Sequence, residues 1–412
     1  MDYKAKTSFA QKIGLKSLAA MFAEVSDQRN RRGVRYQLAP VLTLIMLAKF
    51  CGSDTPSEIA DWVEERTERL KQALGLEWKR MPHHSTYRRI LADAMKIEEL
   101  EKKAREFVAS LGVTADELLE AEDKTGDSEL PQAQTEVSVD DLLAMDGKAL
   151  RGTIPTGKKQ GLHLLAVCQV SKCATLAQIA VENKENEISA APRLLKQVEL
   201  ENKTVSGDAM LTQKTISKQL VEAGGDYIFI VKDNHPTLRT EIETCFKDPR
   251  LPAFSKEEDF RTHTTIEKGH GRIEQRRLTA STGLNEYLDW PFLQQVFEIK
   301  RETTICNTEQ TRSEIVYGIT SHSVDRAGAA KLLELNRAHW GIENGLHYRR
   351  DVTFAEDRCR MKSKTAAEAL AVFNNLAIAM LLHDGRENVA KARRHYGANV
   401  GKALRLIFRK PQ

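Results

Sequence analysis

The chain has 412 residues, 41% of them hydrophobic and 29% charged. That is the make-up of an ordinary soluble protein with two or three domains, and it argues against a fibrous or disordered polymer. The net charge of +4 conceals a segregation: residues 1–40 hold 8 Lys/Arg against 3 Asp/Glu, residues 113–141 hold 1 against 10, and residues 344–412 hold 14 against 6. Basic ends around an acidic segment suit a polyanionic partner. The six cysteines form no CxxC pair and no zinc spacing, which suits reduced thiols in a cytosol.

Residues 1–120 read as helices. "LAPVLTLIMLA", Leu38–Ala48, is too short to span a bilayer and follows a charged leader without signal-peptide layout, so a buried helix and no membrane are expected. "TPSEIADWVEERTERLKQALGL" starts a helix with Thr55 or Ser57 as cap, Pro56 in the first turn and Glu58 behind it, and gathers Ile59, Trp62 and Val63 on one face. In "EWKRMPHHSTYRRILADAM", Pro82 breaks the chain and Ser85 is a candidate cap. The short helix that follows would carry His83, His84, Thr86, Arg88 and Arg89 outward, as in a helix-turn-helix reader of the major groove. Any charged helical hairpin shares that pattern. Residues 121–136, acidic and poor in apolar side chains, read as a linker.

Beyond the linker the period changes. "VDDLLAMDG", "LHLLAVCQV" and "TLAQIAVE" are short apolar runs expected to form an antiparallel meander. A helix "SAAPRLLKQVEL", a strand "KTVSGDAM", a helix "TQKTISKQLVEAGG" and a strand "DYIFIVK" follow. Three strands, helix, strand, helix, strand is the element order of a ribonuclease-H-like α/β fold. "GRIEQRRLTAST", "QQVFEIKRETTI" and "SEIVYGITS" then read as β-hairpins inserted before a helical stretch, "RAHWGIENGLHYRRDVTFAED", residues 337–357.

Asp146 ends the first apolar strand and Asp208 the fourth. In the expected sheet those strands are neighbours, and Glu343 lies on the helix that would pack across their edge. Three converging carboxylates supply the hard oxygen ligands two Mg²⁺ ions require, with positions open for phosphate and water, and Mn²⁺ should substitute. Taken singly, each acid also has a plain reading, as a turn aspartate or a solvated glutamate.

Helical spacing aligns His339, Glu343, His347 and Arg350 on one face, with Trp340 beside them and Leu335, Ile342 and Leu346 behind. That front admits three readings: a solvated face, a His339/Glu343/His347 metal site, or a catalytic carboxylate among cations that hold a polyanion. HxxxExxxH is not the HExxH zinc spacing. Under the third reading Arg337, His339 and Arg350 contact DNA phosphates, as do Lys148, Arg151 and Lys232 near the two aspartates.

"MDGKALRG", "VSGDAMLTQK", "GGDYIFIVKDNHP", "EKGHGRIEQRR" and the 337–357 stretch occur in that order. Together they resemble the DDE transposases of bacterial insertion sequences, in the branch with the H-repeat-associated proteins, over residues 15–385. The resemblance implies that Asp146, Asp208 and Glu343 are the catalytic and metal-binding D, D and E. The wider superfamily's Tyr-Arg-Glu-Lys signature is matched here only at the glutamate, since its other positions hold Asn336, His339 and Arg350. The resemblance also explains the long separation of Asp208 and Glu343 by a β-rich insertion that helps hold the transposon end. Trp290, the tryptophan of that insertion, would stack on an extruded base unless it is a core aromatic.

The expected organisation is therefore a helical DNA-binding region at 1–120, a linker at 121–136, a ribonuclease-H-like core at 137–244 and 323–385, a β-rich insertion at 245–322 and a basic tail at 386–412. The expected activity is a transposase that binds terminal inverted repeats of double-stranded DNA, cleaves with two metal ions and joins ends to a target. It would work as a homodimer on DNA in the cytoplasm, at the nucleoid. A domesticated DNA-binding descendant and a Mg²⁺-dependent nuclease are the alternatives.

Overall fold

Local chemistry starts several of the helices. A computed structural model describes residues 17–111, 137–247 and 259–409, apart from Lys159, Asn183, Lys184, His270 and Glu309. The expected acidic linker lies outside the described residues. Among the described residues six helices come first: α1 (Leu18–Ala23), α2 (Leu38–Phe50), α3 (Pro56–Glu64), α4 (Thr67–Leu74), α5 (His84–Asp93) and α6 (Ile97–Ser110). Thr55 and Glu58 form a reciprocal capping box at the start of α3, with Pro56 at its first position. The cap of α5 is His83 and not Ser85: the imidazole accepts from the Ser85 backbone N–H. Twelve of the thirteen residues of α2 are buried, so it is a core helix, as its apolar run indicates.

The strands join into one nine-stranded mixed sheet in the order β3-β2-β1-β4-β5-β9-β8-β7-β6. β1 (Leu142–Leu150), β2 (Leu162–Gln169) and β3 (Ala174–Val181) form the antiparallel meander; β4 (Thr204–Gly207) and β5 (Asp226–Val231) then run parallel to β1. The helices α7 (Glu187–Leu195) and α8 (Lys214–Glu222) provide the crossovers. The inserted strands β6 (Arg261–Gly269), β7 (Arg272–Ser281), β8 (Gln295–Ile305) and β9 (Thr311–Thr320) continue the same sheet, because β9 pairs antiparallel with β5. β6 and a helix α9 (Pro236–Lys247) have no counterpart in the sequence reading. β6 is an edge strand with mostly exposed side chains, so it lacks the alternation that reveals a half-buried strand.

Helices cover both faces. Leu143 and Met145 of β1 pack with Ala190, Leu194 and Leu220 on one side; Ala144 packs on the other with a core shared by N- and C-terminal helices. The centre of that shared core is α11 (Lys364–His383), where Phe373 and Leu376 meet Phe22, Tyr87 and Leu91. It is long and apolar enough to cross a membrane, yet nearly all of it is buried inside the protein. Within the expected basic tail, residues 389–398 and 400–408 are helical. α12 (Val389–Ala398) and α13 (Val400–Phe408) bury Tyr396 and Ile407 in the same core.

Candidate active site

β1 does not end at Asp146; it runs on to Leu150, paired there with β2 alone. β4 does end, and its last pair sets Met145 opposite Gly207. Asp146 and Asp208 are therefore the next residues on two parallel neighbours, side by side where the paired run stops. Asp146 Oδ1 accepts from the Gly147 N–H at 2.9 Å. Asp208 caps a tight turn, accepting from Met210 N–H at 3.0 Å and Leu211 N–H at 3.2 Å.

Glu343 arrives on the opposite wall. Helix α10 (Ala329–His339) does not continue as α through the 337–357 stretch; Ile342–His347 and Arg349–Thr353 are wound as π-helix, with Phe354 N–H reaching Arg349 C=O at 3.0 Å. Such i→i+5 winding concentrates at functional sites. Gly341 allows the segment to seat on the β2–β3 turn, since a Cβ there would lie 2.6 Å from Val170 Cγ1. Ile342 and Leu346 are buried behind, as the helical spacing indicates, and Glu343 is exposed in front.

The electrostatics of this edge are those of crowded acids. Burial, then the charges of Glu187, Glu343 and Asp208, raises Asp146 from 3.8 to about 7 against the opposing Gly147 hydrogen bond. Burial and Glu187 also raise Asp208, while its N–H bonds and the exposed Lys232 pull the other way. Among the described residues none of Asp146, Asp208 and Glu343 forms an ion pair with a lysine or arginine. The group closest to pairing is His347, whose Nδ1 lies 3.3 Å from Asp146 Oδ2. Burial, Arg350 and Lys148 hold His347 down to about 3, so it is neutral. Among the described residues no group of three His, Cys, Asp or Glu side chains is gathered closely enough to enclose one cation. The two aspartates are together; Glu343 acts on Asp146 through its charge.

The expected phosphate contacts divide. Arg151 is exposed, 3.9 Å from Asp357, and Lys232 is exposed; both suit an external anion. Arg337 is half-buried and paired with Glu267 of β6 at 2.6 Å. Arg350 corrects the expectation: it is fully buried, with Nε 2.8 Å from Glu356 and Nη1 3.1 Å from Gln178. The π-winding abandons the α period that aligned it with Glu343. Lys148 is also buried, its Nζ 2.5 Å from Asp351. His339 is neutral, held at about 4 by burial, with Nδ1 2.9 Å from Ser206 Oγ. Trp290 is a core aromatic, 7% exposed, whose Nε1–H donates to Ser217 Oγ at 3.1 Å. In α5, His83, Arg88 and Arg89 are exposed and His84 and Thr86 half-buried, while Tyr87, Ile90 and Leu91 turn inward.

The sequence reading missed Glu187 and His163, which meet beside Asp146 with Nε2 and Oε1 2.6 Å apart. The one local signal was the capping sequence Asn186–Ser189, which marks the start of α7 but not where its acid points.

Residues 138–380 match the family model for the transposase DDE domain, and residues 19–108 match the DDE transposase-associated model. Over 377 residues the chain is 27% identical to the H repeat-associated putative transposase YhhI of Escherichia coli (strain K12), covering 90% of this chain and 91% of that one. It is 28% identical over 381 residues to the putative transposase YncI of Escherichia coli O157:H7, covering 90% and 88%. Among solved structures, the piggyBac transposase synaptic complex with hairpin DNA aligns at a TM-score of 0.41 and 11% identity, covering 97% of this chain and 80% of that one.

Proposed function

The chain belongs to the transposase DDE domain family, and from that premise we propose that it is a DNA transposase that binds terminal inverted repeats, cleaves there and joins the freed 3′-hydroxyl to target DNA. Asp146, Asp208 and Glu343 are the catalytic residues of this reading. The observation that carries it is the register of β1 and β4, which leaves Asp146 and Asp208 adjacent at the end of their paired run. The strand order β3-β2-β1-β4-β5, antiparallel then parallel, supports a ribonuclease-H-like core.

The donor set suits divalent cations: hard carboxylate oxygens, with Asp146 raised by burial and then by its acidic neighbours, and lacking a paired lysine or arginine among the described residues. Asp146, Asp208 and Glu343 would hold two Mg²⁺ or Mn²⁺ ions, which supply activation of the attacking water or 3′-hydroxyl and stabilisation of the leaving oxygen. The chain's own cations then hold DNA. Arg151, Lys232 and Arg337 take phosphates around the edge, and His83, Thr86, Arg88 and Arg89 on α5 take part in end recognition. Asp208, tied to its own turn by two N–H bonds, keeps its carboxylate oriented without an ordering cost on binding. Two ends must be cut and joined together, so the working unit is a homodimer on DNA, acting in the cytoplasm.

The test is a supercoiled plasmid carrying the element's inverted repeats. The native protein should nick it in Mg²⁺, while Asp146→Asn, Asp208→Asn and Glu343→Gln should bind the ends normally and leave them intact. Undiminished cleavage by those variants would refute the assignment.

A further inference from the structure

We propose that Glu187 is a fourth carboxylate of the cation site, and that His163 is the positioning residue that holds it. The inference rests on the reading of Asp146 and Asp208 as cation ligands and adds to it a residue from the opposite face of the sheet.

Glu187 opens α7 just after its cap, Asn186, whose side chain accepts from the Ser189 N–H while Ser189 Oγ reaches back to the Asn186 N–H. An acid in a helix's first turn has an ordinary explanation at the surface, where the helix dipole favours it. Glu187 is not at the surface: it is 9% exposed and turned onto the sheet. Its Oε1 lies 2.6 Å from His163 Nε2. The same oxygen fills the space of an absent side chain, because a Cβ on Gly147 would lie 2.1 Å from it. Gly147 directly follows Asp146. A glycine is therefore required there for the carboxylate to come this close to the candidate site.

The approach is from the side of the sheet that Glu343 does not occupy. Ala190, Ala191 and Leu194 of α7 pack with Leu143 and Met145, whereas Ile342 and Leu346 of the π segment pack with Ala144. Two acids thus act on Asp146 from opposite faces, and Glu187 acts on Asp208 as well. Glu187 pairs with no lysine or arginine among the described residues; its partner is an imidazole. Burying a further carboxylate beside two others is costly unless a cation arrives. Its charge accordingly acts on both Asp146 and Asp208. One oxygen bound to His163 leaves the other available, and ligating carboxylates are themselves oriented by hydrogen bonds from neighbouring groups.

Binding of Mn²⁺ alone to the full-length protein, followed by electron paramagnetic resonance of the free ion, tests this without catalysis. Glu187→Gln should weaken Mn²⁺ binding about tenfold, and Glu187→Asp and His163→Ala by less. In chelator, Glu187→Gln should melt no lower than the native protein, because it removes repulsion; a purely structural residue would lower the melting temperature. Unchanged Mn²⁺ affinity in Glu187→Gln, with affinity lost in Asp146→Asn, overturns the role of Glu187 and leaves the site standing. Equal affinity in the native protein and Asp146→Asn removes the site itself, and this inference with it.

Discussion

Two groups of charged side chains lie on either side of the π-wound segment, and they are built on opposite rules. In the interior, Arg350 pairs with Glu356 at 2.8 Å, Asn374 donates to the same glutamate at 2.8 Å, and Lys49 donates to Asn374 at 2.6 Å. Arg393 clamps Asp54 with two contacts of 2.7 Å and lies 4.1 Å over the Phe354 ring. Each of these acids has a cation, so the network joins α2, the π segment, α11 and α12 into one body. At the sheet edge Asp146 and Asp208 lie side by side, the charges of Glu187 and Glu343 act on Asp146, and among the described residues none of these acids forms an ion pair with a lysine or arginine. Opposite charges buried in pairs hold an architecture together. Like charges left adjacent cost the fold stability until one of them takes up a proton or a cation binds.

That contrast is broken most directly at the edge. Asp146→Asn should reduce strand cleavage by about a thousandfold, since a lost metal ligand removes several kcal/mol of transition-state stabilisation. The same variant should leave the metal-free melting temperature equal or higher, because it relieves crowding. A lower melting temperature would mean that Asp146 is structural.

The interior should respond in the reverse way. Glu356→Gln leaves Arg350 buried without its charge partner and should cost about 3–5 kcal/mol of stability, read in a denaturant titration. A loss under about 1 kcal/mol would place that pair with the weak surface bridges.

The pH dependence sharpens the comparison further. Asp146 binds its proton more tightly when folded, at about 7 against 3.8, so its cost to the folded state is absent below about pH 4 and complete above about pH 7. Metal-free native protein should therefore lose stability relative to Asp146→Asn as pH rises through that window, and saturating Mn²⁺ should abolish the difference. Parallel profiles for the two proteins would contradict the raised value.

The smallest expected effect separates two arginines. Arg151→Ala, at an exposed side chain, should weaken DNA binding a few-fold at every sequence and lower the salt slope by about one. Arg350→Lys should alter stability and leave that slope unchanged.

Much of this was legible from residue order. Apolar runs of strand length located β1 to β5 and β7 to β9, and Thr55, Pro56 and Glu58 marked the start of α3, because alternation and capping are local. Asp146, Asp208 and Glu343 were marked by their places relative to those elements. Arg350 was misread because helical spacing assumes one period, and the segment departs from it. Trp290 was offered to DNA because the sequence has no sign that Ser217 stands ready to accept its N–H.

The sequence by itself determined most of the segments that form strands and helices and the order in which they follow, since both depend on side chains a few positions apart; β6 and α9 were among the exceptions. Tertiary structure alone decided that the inserted strands extend the main sheet, that the N- and C-terminal helices share a core, and that Glu187 reaches the carboxylate edge. Each of those depends on contacts between residues far apart in the chain, whose free energy comes from burial and charge in three dimensions and leaves no periodic trace along one.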